Sequence, residues 1–275
     1  MKKVVLCADD YGQNQSISQA IIALLEKNRL SATSCMTNSS GWLEHARWLQ
    51  PFDGQADIGL HFNLTEGKPL SERLAATHGI MSLQHLIAKA CAHRLSRSAV
   101  EAELNAQLDA FVEGMGRLPD FVDGHQHIHQ LPVIRHALLN VYEARLRDAR
   151  AWLRCVHDPR AFLRVHSRHY LKKLIIQLLG AGVFKKMVIE RGIPHNSSFA
   201  GIYSFTDAMR YSYMFPRFLA DIRDNGLIMC HPGLLTSDRT DKISDARYQE
   251  FLYLIGDHVV RDCLHAGVSL HRLVK

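Results

Sequence analysis

Phe121-Val122-Asp123-Gly124-His125-Gln126-His127-Ile128-His129 sets three imidazoles and a carboxylate directly behind a short apolar run. The run reads as the end of a buried strand and the donors as its exit. The pattern recurs three times. Val4-Val5-Leu6-Cys7-Ala8 ends on Asp9 and Asp10, Ile58-Gly59-Leu60 ends on His61, and Ile228-Met229-Cys230 ends on His231. Strands that all finish on polar donors run the same way and bring those donors to one rim.

Between the runs the apolar spacing changes to a helical period, the signature of βα units around a parallel sheet. Strands are expected near Val4–Cys7, Ser34–Thr37, Ile58–Leu60, Phe121–Val122, Ala149–Leu153, Leu227–Cys230 and Val268–Leu270. Helices are expected over Gln15–Lys27, Trp42–Leu49, Leu83–Cys91, Ala99–Met115, Val133–Arg145, Phe215–Arg223 and Ala246–Cys263. Ser98 suits an N-cap with Glu101 three residues on, and Gly114 and Gly116 suit the far end. Seven or eight such units make a distorted, single-domain α/β fold of the TIM-like barrel type, with its active site at the carboxyl ends of the strands. The alternation breaks at a basic, helix-rich insertion around 158–198. Phe199-Ala200-Gly201-Ile202-Tyr203 returns the chain towards the site.

A chain of 275 residues with 47% hydrophobic content can bury a full core, and α/β barrels of about 200–250 residues often form one domain, so 1–275 is read as one. Neither a signal-peptide core nor an apolar run of about 20 residues is present. The six cysteines are scattered without a CxxC pair, which reads as reduced, mostly buried thiols in a cytoplasmic protein. Net charge is +6. Much of the excess sits in Arg160, Arg164, Arg168, Lys172, Lys173, Lys185, Lys186 and Arg191.

Asp10, His61 and His125 offer one carboxylate and two imidazoles, enough to hold one face of a divalent ion and leave positions open for water and substrate. An ion held so acidifies its water and polarises a carbonyl, chemistry that hydrolyses an amide or ester without a protein nucleophile. The neighbouring Asp9 points elsewhere and suits a general base, and His231 suits the acid that protonates a departing amine. His127 and His129 are read equally as substrate-binding or supporting residues and as surface. His45, His78, His85, His93 and His136 are read as surface.

Four blocks together resemble the YdjC-like carbohydrate deacetylases, the family of the chitooligosaccharide deacetylase and of hopanoid-biosynthesis-associated deacetylases. They are Ala8-Asp9-Asp10-Tyr11-Gly12, Gly59-Leu60-His61-Phe62-Asn63-Leu64-Thr65 with Gly67-Lys68-Pro69-Leu70, Asp123-Gly124-His125-Gln126-His127-Ile128-His129, and Cys230-His231-Pro232-Gly233. The resemblance implies a distorted β/α barrel, one divalent metal ion (Mg2+ or Zn2+) on Asp10, His61 and His125, and removal of acetyl groups from N-acetylated sugars. By the same similarity Asp9 is the base, His231 the acid, and an arginine after the fifth strand, Arg150 or Arg154, orients the base.

Arg160, Arg164, Arg168 and Lys172 recur every four residues. On a helix they make a solvated basic stripe, or, on the sharper reading, contact a membrane surface or the phosphate of a glycolipid substrate. Nucleic acid is not expected, because aromatic residues are not interleaved with the basic ones. A homodimer is left open. The rival readings are a metal-dependent phosphoesterase acting on a sugar phosphate and a non-catalytic metal- or sugar-binding protein.

Overall fold

Along each strand successive side chains face opposite sides of the sheet, and here one side is the inside of a curled sheet and the other a ring of helices. In the computed structural model, which describes residues 1–157, 177–205, 211–237 and 240–273, the elements alternate as βα units. They are β1 (Lys2–Tyr11), α1 (Gln15–Glu26), β2 (Ala32–Cys35), α2 (Trp42–Leu49), β3 (Asp57–Phe62), α3 (Glu72–Thr77), α4 (Leu83–Cys91), α5 (Arg97–Met115), β4 (Phe121–Gly124), α6 (Ile134–Val141), β5 (Trp152–Leu153), α7 (Gly182–Glu190), β6 (Phe199–Ala200), α8 (Tyr211–Asp221), β7 (Gly226–Cys230), α9 (Ser244–Ile255), α10 (His258–His265) and β8 (Val268–Leu270).

The pairs are all parallel, in the order β5-β4-β3-β2-β1-β7-β6, with β8 against the start of β1. The two sheet edges meet across one short segment. Leu153 N donates to Pro194 O, Leu153 bridges His195, and the Asn196 side chain bonds both Cys155 N and Cys155 O. The distorted barrel expected from the sequence is therefore the fold observed.

Two apolar clusters fill it. Val5, Cys7, Ala32, Phe121, Trp152, Phe199, Leu227 and Met229 pack inside the curl, whereas Val4, Leu6, Ile58, Leu60, Val122, Leu153 and Ile228 face the helices in the larger cluster. The Phe121 ring stacks on Trp152 at 4.0 Å, and it crosses β3 at Gly59, where a Cβ would lie 2.4 Å from the ring. Gly201, just after β6, has φ +106 and backs onto the Met229 carbonyl, which a Cβ would meet at 2.2 Å. Only glycine combines that φ with that approach.

Several local expectations are corrected. The cap of α5 is Ser96, whose Oγ accepts from Ala99 N, so the helix begins before Ser98. Gly116 ends it in the left-handed region, as expected. The stretch 246–263 is two helices, because Gly256 leaves the helical region with ψ near 180°. The helix over 134–141 passes into one π-helical turn at Tyr142–Leu146. Strand β6 had no separate expectation, since two residues carry no period. His45 is buried, not at the surface: it sits on α2 with Nδ1 3.1 Å from Ser18 Oγ. Five cysteines are buried, Cys91 is exposed, and all six are free. Among the described residues no helix is long and apolar enough to cross a membrane. The stripe Arg160, Arg164, Arg168 and Lys172, with Lys173 beside it, lies outside the described residues.

Candidate active site and metal centre

Continuing the inside-facing alternation past the apolar layer places the next residue of each strand at the carboxyl-end rim. Cys7 is followed by Asp9, Ala32 by Ser34, Gly59 by His61, Phe121 by Asp123, Trp152 by Arg154, and Met229 by His231. By the same alternation Asp10 would turn outwards with Ala8. It does not, because β1 shifts register between Ala8 and Tyr11 and Asp10 takes φ +69. A left-handed backbone at a non-glycine residue is strained and persists only when its surroundings hold it there.

Register then sets the donors against one another. His61 and Asp123 are partners across β3 and β4, so His61 Nδ1 lies 2.7 Å from Asp123 Oδ1. Ser34 Oγ donates to the same oxygen at 2.5 Å. That fixes the His61 ring with Nε2 turned to Asp10 Oδ1 at 3.3 Å. His125 Nδ1 reaches the same Asp10 oxygen at 2.9 Å and His61 Nε2 at 3.4 Å. Its Nε2 faces Glu66 Oε1 at 3.2 Å. Each imidazole thus has a carboxylate behind it, the arrangement that orients metal-binding histidines.

Charge follows the same plan. Burial works against protonation of His61, but Asp123 and Asp9, with hydrogen bonds accepted by Asp10 and Asp123, raise it to about 10. His125 is raised too, against its burial, chiefly by Asp10. Burial likewise opposes the charge on Asp10, yet Arg247 and His125 hold its carboxyl well below the usual range. The negative charge around the pocket favours the protonated form of both buried imidazoles.

Those residues fit a cation. Asp10, His61 and His125 are all buried and offer donor atoms within 4.8 Å of one another. The closest approaches, 2.9 to 3.4 Å, are near the roughly 3.4 Å that separates ligands placed about 2.1 Å from a tetrahedral ion. Asp9, His61 and Asp123 meet the same limit, but both of those carboxylates are already paired with the Arg154 guanidinium.

Arg154 is fully buried, with Nη1 and Nη2 each 2.6 Å from one Asp9 oxygen and Nη2 2.6 Å from Asp123 Oδ2. This fork ties Asp9 to the carboxylate behind His61. Arg150 is not brought to the site: it is exposed, in the turn before β5, with φ +51. His231 Nε2 stands 4.0 Å from Asp9 Oδ2. Its ring meets Phe205 edge-on at 5.2 Å, and burial pushes it down to about 4 against the pull of Asp10 and Asp9. His127 is buried, with φ +61 and its ring edge-on to Phe199. Burial, then the charges of His129, Arg154 and His231, keep it well below the ordinary value. His129 Nε2 bonds the Arg154 carbonyl at 3.0 Å.

Helix α9 supplies residues that the sequence reading did not single out. Arg247 Nη2 donates to Asp10 Oδ2 at 2.7 Å, and its Nε donates to Asp241 at 2.6 Å. One turn on, Glu250 is fully buried and accepts His231 N–H and Tyr203 O–H, each at 2.5 Å. Burial pushes Glu250 up to about 7, although Tyr203, the His231 amide and Arg247 all pull it down. Ser34, Gln13 and Glu66 were not singled out either, although Glu66 stands between the two halves of the second block, Gly59–Thr65 and Gly67–Leu70. Charged residues inside a helix read as a solvated face, so α9 gave no local signal.

With this geometry in place, comparison with known proteins identifies the lineage. A model of the family described as YdjC-like protein matches residues 3–265. The chain belongs to that family. This YdjC-like protein is 32% identical over 148 residues to a carbohydrate deacetylase of Danio rerio, covering 50% of this chain and 46% of that one. It is 35% identical over 135 residues to a chitooligosaccharide deacetylase of Serratia marcescens, covering 48% and 53%. The chain spans about half the length of the curated relatives it matches. An Enterococcus faecalis V583 crystal structure, described as that of a candidate cellobiose-phosphate cleavage protein, superposes with a TM-score of 0.71 at 18% identity. It covers 99% of this chain and 97% of its own, a likeness of fold.

Proposed function

We propose that this protein is a metal-dependent hydrolase that removes acetyl groups from N-acetylated amino sugars. The observation that carries the reading is a buried Asp10–His61–His125 cluster beside Asp9, which itself lies 4.0 Å from His231 Nε2. The names of the curated relatives, carbohydrate deacetylase and chitooligosaccharide deacetylase, point the same way. The family match over 3–265 supports reading 1–275 as one domain.

Asp10, His61 and His125 would hold a divalent cation, zinc by the softness of two imidazoles or magnesium with waters completing its shell. Once bound, such an ion supplies Lewis-acid polarisation of the acetyl carbonyl and a more acidic water. The remaining steps belong to the chain. Arg154 fixes both Asp9 oxygens, so Asp9 accepts the proton of the attacking water from one direction. His231, pushed down to about 4 by burial, is neutral at the start of turnover and serves as the acid only once it is protonated. The proton it gives to the departing amine is therefore one collected during the reaction, passed from Asp9 through one bridging water, since the 4.0 Å between them exceeds hydrogen-bond reach. His127, buried against Phe199 on the same rim, contacts the sugar. Arg154 takes the base-orienting role for which Arg150 was the alternative.

The test is acetate release by metal-loaded protein from N-acetylglucosamine oligomers and lipid-linked N-acetyl sugars, with and without chelator, with phosphate release from sugar phosphates in parallel. Chelator-sensitive acetate release supports the reading. Phosphate release alone, or saturable sugar binding with no product, would replace it with a rival.

A further inference from the structure

Arg247 makes the least expected contact in the molecule: a buried cation bonded to a residue proposed to bind another cation. Its Nη2 donates to Asp10 Oδ2 at 2.7 Å, while Asp10 Oδ1 faces His61 Nε2 and His125 Nδ1 at 3.3 and 2.9 Å. The two oxygens of one carboxylate are thereby divided, one for the guanidinium and one for the imidazole cluster. Arg247 is itself held from two sides. Its Nε donates to Asp241 at 2.6 Å, and Nη2 also reaches Gln13 Oε1 at 3.1 Å. Its backbone carbonyl accepts from Gly233 N, two residues after His231.

We propose that Arg247 is a positioning residue that presents Asp10 to a divalent cation through Oδ1 alone, and that Asp241 and Gln13 aim Arg247. The inference rests on the metal-centre reading above. Two features make position its role. First, Asp10 sits at φ +69, a conformation that β1 alone does not favour and that an external anchor must hold. Second, a rigid planar fork can satisfy Asp241 with Nε and Asp10 with Nη2 at once, whereas a lysine ammonium is a single point and cannot. A purely electrostatic role would ask only for the charge. It would also act in the opposite sense, because a nearby positive charge repels the ion it adjoins.

The sign of one measurement separates the two. Calorimetric titration of metal-free protein with Zn2+, and separately with Mg2+, gives the dissociation constant for wild type, Arg247→Gln, Arg247→Lys and Asp241→Asn. Thermal melting of the metal-free proteins establishes which variants are folded. Positioning predicts that Arg247→Gln binds about 10–100-fold more weakly, the usual cost of removing a residue that orients a ligand. Arg247→Lys should be about as weak, and Asp241→Asn weakened by a smaller factor. The Asp241 side chain is 14% exposed and acts on Asp10 through Arg247, so that variant keeps the proposal testable if Arg247→Gln does not fold. Unchanged or tighter binding in the Gln variant, or full recovery with Lys, overturns the proposal. Wild-type protein that binds neither ion overturns the metal-centre reading itself, and the proposal with it.

Discussion

Replacing Asp123 by Asn tests the construction of the site without assuming its chemistry. Asp123 is fully buried and joins three groups: Ser34 Oγ at 2.5 Å, His61 Nδ1 at 2.7 Å and Arg154 Nη2 at 2.6 Å. Asn keeps the shape and one acceptor. It loses the charge, however, and in either orientation turns its NH2 towards a donor, Arg154 on one side or Ser34 and His61 on the other. Breaking a buried ion pair costs about 3–5 kcal/mol, because a charge is left uncompensated. Arg154 keeps Asp9, so the lower end, about 3 kcal/mol, applies here. Unfolding entropy of about 2.1 cal/mol/K per residue gives a 275-residue chain about 0.6 kcal/mol/K, and the melting temperature should fall by about 5 °C. The His61 ring also loses its orienting acceptor, so affinity for Zn2+ should drop about 10–100-fold. Thermal unfolding followed by circular dichroism and calorimetric titration read the two effects. A variant that melts within 1 °C of wild type and binds Zn2+ equally well would falsify the argument that Asp123 holds this site together.

Other outcomes follow from the same contacts. Asp9→Asn should bind metal as wild type does but lose turnover, whereas His125→Ala should lose both; an undiminished rate in Asp9→Asn would sink its role as base. Glu250→Gln and Tyr203→Phe loosen the anchor of His231 and should lower kcat by about tenfold with metal affinity unchanged, so weaker metal binding would contradict the division of roles. Arg150→Ala should leave acetate release within twofold of wild type, because the residue is exposed before β5; a large loss would reopen its candidacy. His129 is pushed down to about 4 by burial, despite the pull of Asp123, whereas an unfolded imidazole titrates near 6.5. Below about 6.5 the unfolded chain therefore binds the extra proton, and stability falls from there to pH 4. The contribution is about 1.4 kcal/mol per pH unit, about 3 kcal/mol in all. Urea unfolding of His129→Asn at pH 7 and pH 5 should show a shallower loss than wild type, and an identical slope would refute it.

The sequence by itself determined the strands other than β6, their common direction and the rim. An unbroken apolar run in a buried strand and a period of about 3.6 between strands are local properties, written in Val4–Cys7 as plainly as in Gln15–Glu26. It named the donors as well, because Asp9, Asp10, His61, His125 and His231 each follow an apolar run that had to end somewhere. Tertiary structure alone decided how they meet. The register of β3 on β4 put Asp123 beside His61, and the φ of Asp10 turned it inwards against the alternation. Strand phase and end together placed Arg154, not Arg150, over Asp9. The supports on α9 were the least legible. Arg247 lies 237 residues from Asp10, and Glu250 lies 47 from Tyr203. A charged residue inside a helix carries no mark of whether it faces water or a carboxylate, because that depends on which strand end the chain folds against it.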